Sequence, residues 1–170
     1  KSLKDELKRQ NVKFKNNTDT EVLLEGYKFW GLNILLKKIR GMYAFCLFDI
    51  ERQEIILSRD LVGQKPLFYY FKDNMFIFSS EIKSIINYTN EKKLDHNSAQ
   101  SVFLTTSIAP SNKTLFQNIK KINQGETIKL DLRKFSLIEK KQYFLRELIN
   151  KDEYKKNNTL SFDKLCQKFD

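Results

Sequence analysis

The chain reads as an α+β protein in which helices flank a sheet-rich middle, and three observations carry that reading. Apolar residues recur at helical spacing before Gly41, short apolar and aromatic runs separated by turns fill residues 42 to 80, and helical spacing returns afterwards. The middle runs are apolar on consecutive positions instead of alternating, as in strands covered on both faces. A sheet of that kind needs a partner layer.

"SLKDELKRQ" opens with a capping-box-like Ser2-x-x-Asp5 and places Leu3 and Leu7 on one face, which predicts a short helix over residues 2–10. A second helix is capped by Thr18 or Asp19, carries Val22, Leu23, Tyr27 and Trp30, and stops at Gly31. "LNILLKKI" follows as a third with almost no linker. From there "MYAFCLFDI", "EIILSRD", "PLFYYF" and "MFIFSS" have strand character. "IERQE" and "KDN" suit hairpin connections, so residues 42–80 are expected to form a mostly antiparallel meander. "SSEIKSIIN" and "LDHNSAQSVFLTT" have helical patterns, the latter with Asp95 as cap. A turn-rich segment from Ser107 ends in a strand, and "SLIEKKQYF" is the last strand. After Tyr143 the composition turns charged and polar, which predicts a linker over residues 145–158 and a new helix near Ser161. There are no internal repeats.

With 170 residues, 41% of them apolar, one domain with a sizeable core is expected. No apolar run approaches the roughly 20 residues needed to cross a bilayer, and the basic N-terminal stretch lacks a signal-peptide core. A cytoplasmic protein with no membrane partner is therefore expected. Cys46 and Cys166 form no disulfide framework, and with a single histidine no metal cluster is expected. The net charge of +10 raises nucleic-acid binding, but only six of the 31 basic residues are arginine and they are scattered, so no nucleic-acid partner is expected.

Several residues invite a chemical role. Arg59, Asp60 and Lys65 could make a charged site. The structural reading is that Arg59 and Asp60 close a turn by charge-assisted hydrogen bonds, Gly63 supplies an unusual backbone angle and Pro66 fixes the start of the next strand. Cys46 sits in an apolar run without a neighbouring histidine and reads as a buried, inert thiol. His96, beside a helix start, reads as a solvated surface residue. Asp19 reads from its position as a helix cap, and Glu81 as a helix-start carboxylate.

Taken in order, "TDTEVLL", "RGMYAFCLFD", "SRDLVGQKPLFYY" and "FSSEIKSI" resemble the glutaminase domain of glutamine-dependent asparagine synthetases, which are class II amidotransferases with an N-terminal-nucleophile hydrolase fold. The downstream stretch with "TLFQNIKKI" and Gly125 is similar to the end of that domain, so the resemblance runs over residues 2–143. It implies a four-layer α/β/β/α sandwich of two antiparallel sheets flanked by helices, here lacking its first strands. It also implies a partial glutaminase domain over residues 1–144, with residues 145–170 as linker and start of an ATP-dependent synthetase domain.

The activity so implied is hydrolysis of L-glutamine, with ammonia passed to ATP-activated L-aspartate. The family nucleophile is an N-terminal cysteine whose own α-amine, titrating near neutrality, takes the thiol proton. Position 1 here is lysine, so these residues alone are expected to be inactive, with no catalytic residue among them. No cofactor is expected within the fragment; ATP and Mg²⁺ belong to the missing synthetase domain. The resemblance assigns Asp19 to the α-ammonium of glutamine, leaves Arg59, Asp60, Gly63 and Pro66 as a structural motif, and places Glu81 at a candidate domain interface. Partners implied are L-glutamine and the synthetase domain of the same chain, with room for a homodimer. Relatives that amidate sugar acids in surface-polysaccharide synthesis share these motifs, and a non-catalytic amidotransferase-like binding module is the reading from another class.

Overall fold

The structure, a computed structural model, describes residues 3–105 and 112–142, and the chain divides between Gly41 and Met42 into two compact units. The Ser2 cap, the proline loop at Pro110 and everything expected beyond residue 142 lie outside the described residues.

The first unit is a pair of helices, α1 (Leu3–Arg9) and α2 (Asp19–Lys38). Gly31, with φ 73° and ψ 168°, breaks the helical path of α2, so the stop expected at Gly31 appears as a kink between two helical segments. Leu7 of α1 and Leu35 of α2 are fully buried. Gly26 lets the chain close on itself, since a Cβ there would lie 2.9 Å from Leu35 Cδ1 and 3.2 Å from the Trp30 ring. Lys38 Nζ donates to Glu6 Oε1 at 2.5 Å and lies 4.8 Å from the Trp30 ring centre, a charge contact and a cation–π contact on one ammonium.

The second unit holds β1 (Ala44–Asp49), β2 (Glu54–Arg59), β3 (Phe68–Lys72), β4 (Met75–Ser79), α3 (Ile82–Thr89), α4 (His96–Thr105), β5 (Ile119–Lys121), β6 (Glu126–Asp131) and β7 (Ser136–Gln142). These strands make two antiparallel sheets, one ordered β1-β2-β6-β7 and the other β4-β3-β5. The α+β class with two antiparallel sheets is therefore what the sequence led us to expect, but the single meander is not. Residues 42–80 form two hairpins that belong to different sheets. The reason lies after Arg59: the chain leaves the first sheet there, and β2 finds its second neighbour in β6 while β3 finds its own in β5.

Two clusters place the core. Between the sheets, Leu57 of β2 and Ile128 of β6 meet Tyr69 of β3, with Leu67 and Ile122 beside them; all are at most 4% exposed. Each such side chain contributes about 1.5–3 kcal/mol by leaving water. On the far side of the three-stranded sheet, Ile85 of α3 packs on Tyr70 and Ile119. The second unit thus stacks sheet, sheet and helix, with Tyr69 and Tyr70 facing opposite layers as the two-residue period of a strand requires. At the start of α4, Asp95 Oδ1 accepts from Ser98 N at 2.7 Å, the cap expected there.

Candidate functional site

In the first unit the residues of interest gather at the start of α2. Thr18 has extended backbone angles, φ −116° and ψ 148°, and its Oγ1 accepts from Glu21 N at 3.3 Å. The cap is therefore Thr18, and Asp19 is the first helical residue. The reading of Asp19 as cap is corrected by one position, because the residue with β-region angles is the one whose hydroxyl can reach back to the first turn. Glu21 holds the approaching loop: its Oε1 and Oε2 accept from Lys15 N and Asn16 N, both at 2.7 Å. These donors and Lys4 lower the Glu21 pKa against the opposing pull of partial burial. Asp19 itself is exposed on the surface. An open cavity of about 400 Å³ alongside is lined by Lys13, Lys15, Thr20, Glu21 and Leu24 among others, and Asp19 is not among its lining residues.

In the second unit Arg59 and Asp60 organise the segment that crosses between the sheets. Arg59 donates from Nε to Lys65 O at 2.6 Å, from Nη2 to Gly63 O at 2.5 Å, and from Nη1 to Ile122 O at 2.7 Å. Asp60, 1% exposed, receives Val62 N at 3.1 Å and Gln64 N at 3.0 Å on Oδ1, and Lys65 N at 3.1 Å on Oδ2. Its backbone is used as well, with the carbonyl accepting from Gly63 N at 3.0 Å and Gly125 N at 2.8 Å. Burial pushes the Asp60 carboxyl up, the backbone N–H groups of Gln64, Lys65, Val62 and Gly63 push it down, and the balance lies below the ordinary value. Burial pulls Arg59 down while Asp60 beside it pulls up, leaving it lowered overall; an arginine stays charged regardless.

Gly63 sits at φ +71°, and a Cβ on it would lie 2.7 Å from Gln124 Cγ and 3.2 Å from Arg59 Cζ. Pro66 stands exposed just before β3. Lys65 contributes its backbone N–H and C=O to this network, while its side chain stands exposed. The three charged residues therefore do not converge on a common point in space, and the hydrogen bonds from Nε, Nη1 and Nη2 of the guanidinium all end on main-chain carbonyls.

Glu81 occupies the N-cap position of α3 with φ −128° and ψ 134°, yet its carboxylate makes no capping hydrogen bond. Its backbone N–H donates to Ser79 Oγ at 3.1 Å. His96 is exposed as the first residue of α4. Cys46 is exposed, which corrects the expectation of a buried thiol: β1 is an edge strand among the described residues, so its side chains lack neighbours on one flank. Atoms around the sulfur still desolvate it enough to push its pKa up to about 11, so at neutral pH it is a thiol and not a nucleophilic thiolate. Among the described residues no three His, Cys, Asp or Glu side chains come together as a metal site, and no helix is long and apolar enough to cross a membrane.

Two features escaped the sequence reading. One is the Ile122 carbonyl, the third acceptor of Arg59, 63 residues away. The other is Glu126, a carboxylate 1% exposed at the start of β6. Neither is announced by local sequence, since a main-chain acceptor has no side-chain signature and Glu126 opens an otherwise ordinary strand pattern.

The profile of the glutamine amidotransferase domain family matches residues 1–144, and the chain belongs to that family. A putative glutamine-hydrolyzing asparagine synthetase 2 of Methanocaldococcus jannaschii is 35% identical over 146 residues, covering 84% of this chain and 28% of the relative. Glutamine-hydrolyzing asparagine synthetase 3 of Bacillus subtilis is 30% identical over 127 residues, covering 74% of this chain and 20% of its own length. The chain thus spans under a third of these curated relatives. Among solved structures, glutamine phosphoribosylpyrophosphate amidotransferase of B. subtilis superposes with a TM-score of 0.59 over 84% of this chain and 26% of that one, at 17% identity. That likeness establishes the fold.

Proposed function

We propose that these residues are the glutaminase part of a glutamine-dependent asparagine synthetase, in which ammonia released from L-glutamine amidates ATP-activated L-aspartate in the cytoplasm. The observation that carries the reading is the 35% identity to a relative named for this activity, sustained over 84% of the chain. Asp19 is the residue we assign to substrate: its carboxylate binds the α-ammonium of glutamine. Thr18 supplies the helix cap, which frees the carboxylate of Asp19 from that duty. A surface-facing carboxylate at a helix start suits a cation that arrives from solvent.

The family's chemistry needs an N-terminal cysteine, and Cys46 on β1, with its raised pKa, does not substitute for it. The glutaminase reaction therefore depends on such an N-terminal cysteine. Residues 1–144 form the glutaminase portion and residues 145–170 lead into the synthetase domain, which holds ATP and Mg²⁺. Glu81, whose carboxylate makes no cap hydrogen bond, is the residue we assign to the interface with that domain.

The test is an acceptor assay on the parent protein with L-glutamine, ATP and Mg²⁺. Formation of asparagine from L-aspartate, at the expense of glutamine nitrogen, is the expected result. Transfer of that nitrogen only to a sugar acid would overturn the assignment of acceptor, and absence of ammonia release from glutamine would overturn the glutaminase itself.

A further inference from the structure

The four-stranded sheet ends differently on its two sides. At β1 the pairing with β2 is continuous from Ala44↔Arg59 to Asp49↔Glu54, and "AFCLFD" contains no lysine. At β7 the pairing with β6 slips between Lys129 and Leu130: Lys129 faces Glu139, whereas Leu130 faces Leu137, so Ile138 is an extra residue. This is a β-bulge on a strand that lies at the sheet edge among the described residues. Beyond the bulge Lys140 stands opposite Ile128, a residue of the inter-sheet core. Directly opposed residues of an antiparallel pair share a face, so Lys140 projects toward the inter-sheet side.

There it meets Glu126. Lys140 Nζ lies 2.8 Å from Glu126 Oε1, with Lys140 54% exposed and Glu126 1% exposed. The other oxygen, Oε2, accepts from Asn123 N at 2.5 Å. Oε1 has no well-aligned hydrogen bond, so its contact with Lys140 is a charge contact. A carboxylate this deeply buried is costly unless neutralised, and the ammonium that neutralises it comes from the sheet edge. The same charge is felt at Tyr69, where burial first and Glu126 second push the phenol up to about 12.

We propose that Lys140, paired with the buried Glu126, is a register lock: it holds edge strand β7 in its bulged alignment and closes that edge of the sheet to further strands. An inward-pointing charge and a bulge are both devices by which sheet edges resist strand addition. A one-residue slip of β7 would put Glu139 opposite Ile128, at a position facing the inter-sheet core, so slippage is opposed by the same geometry.

Amide hydrogen exchange on the full chain tests this. Lys140→Met keeps the aliphatic stem and removes the charge; β7 amides should exchange about ten- to a hundred-fold faster while β2 amides change much less. Sedimentation of the same variant should show concentration-dependent association. Lys140→Arg should behave as the parent, and Glu126→Gln with Lys140→Met should exchange more slowly in β7 than Lys140→Met alone. Should Lys140→Met fail to fold, rescue of folding by the second change supports the lock. Unchanged β7 exchange in Lys140→Met, or a double variant no better than the single, overturns it.

Discussion

Arg59 Nη1 donates to Ile122 O at 2.7 Å, tying the end of β2 in one sheet to the residue just after β5 in the other. Both residues begin a crossover: residues 60–67 pass from the four-stranded to the three-stranded sheet, and residues 122–125 pass back. One guanidinium therefore fastens both passages, with its other two bonds holding Gly63 and Lys65 carbonyls.

Because all three acceptors are carbonyls spread around a planar fork, lysine cannot replace arginine here. Arg59→Lys should destabilise the fold by about 1–3 kcal/mol, since at least one buried carbonyl loses its donor. The urea midpoint should fall with an unchanged denaturant slope. An unchanged midpoint would show that the crossovers hold without the clamp.

Gly63 and Gly31 separate two kinds of glycine requirement. Both have φ near +70°, yet a Cβ at Gly31 meets nothing within 4 Å, whereas at Gly63 it would press on Gln124 and Arg59. Gly31→Ala should cost about 1–3 kcal/mol from backbone strain alone, since φ 73° and ψ 168° lie in a region that essentially only glycine occupies. Gly63→Ala should cost clearly more, and thermal denaturation of the two variants side by side checks the order.

Asp60 predicts a pH dependence. Its folded-state pKa is depressed, so the folded protein binds fewer protons than the unfolded one between the two pKa values, and stability rises with pH across that window. The contribution is complete above the unfolded value of about 4 and is lost as pH falls below it toward the depressed value. Denaturation curves from pH 6 to pH 2 should show this fall in the parent and a shallower one in Asp60→Asn. Asp60→Asn should also be less stable at neutral pH, because one carboxamide oxygen replaces two carboxylate oxygens that together receive three N–H groups.

Much of this architecture is legible in the sequence, and the gaps have physical causes. The Asp95 cap, the helices and the two hairpins follow from local chemistry, so periodicity and turn residues find them. Assigning β2 and β3 to different sheets does not, because the deciding partners, β6 and β5, lie far along the chain and the strands themselves look alike. Cys46 reads as buried because its neighbours are apolar; its exposure follows from the place of β1 at the sheet edge among the described residues, which only topology reveals. At α2 the ambiguity between Thr18 and Asp19 was real, since both residue types cap helices, and backbone angles decided it. The substrate role proposed for Asp19 rests on family resemblance, not on any feature of residues 18–21 taken alone.

That role is the center of the functional account, and the steady-state kinetics of Asp19→Ala in the parent enzyme test it most directly. With glutamine as nitrogen donor, asparagine formation should be lost; with ammonium salts as donor, it should proceed at close to the parent rate. Equal loss with both donors would contradict the account and make Asp19 a residue of folding, as would glutamine-driven synthesis that survives the substitution.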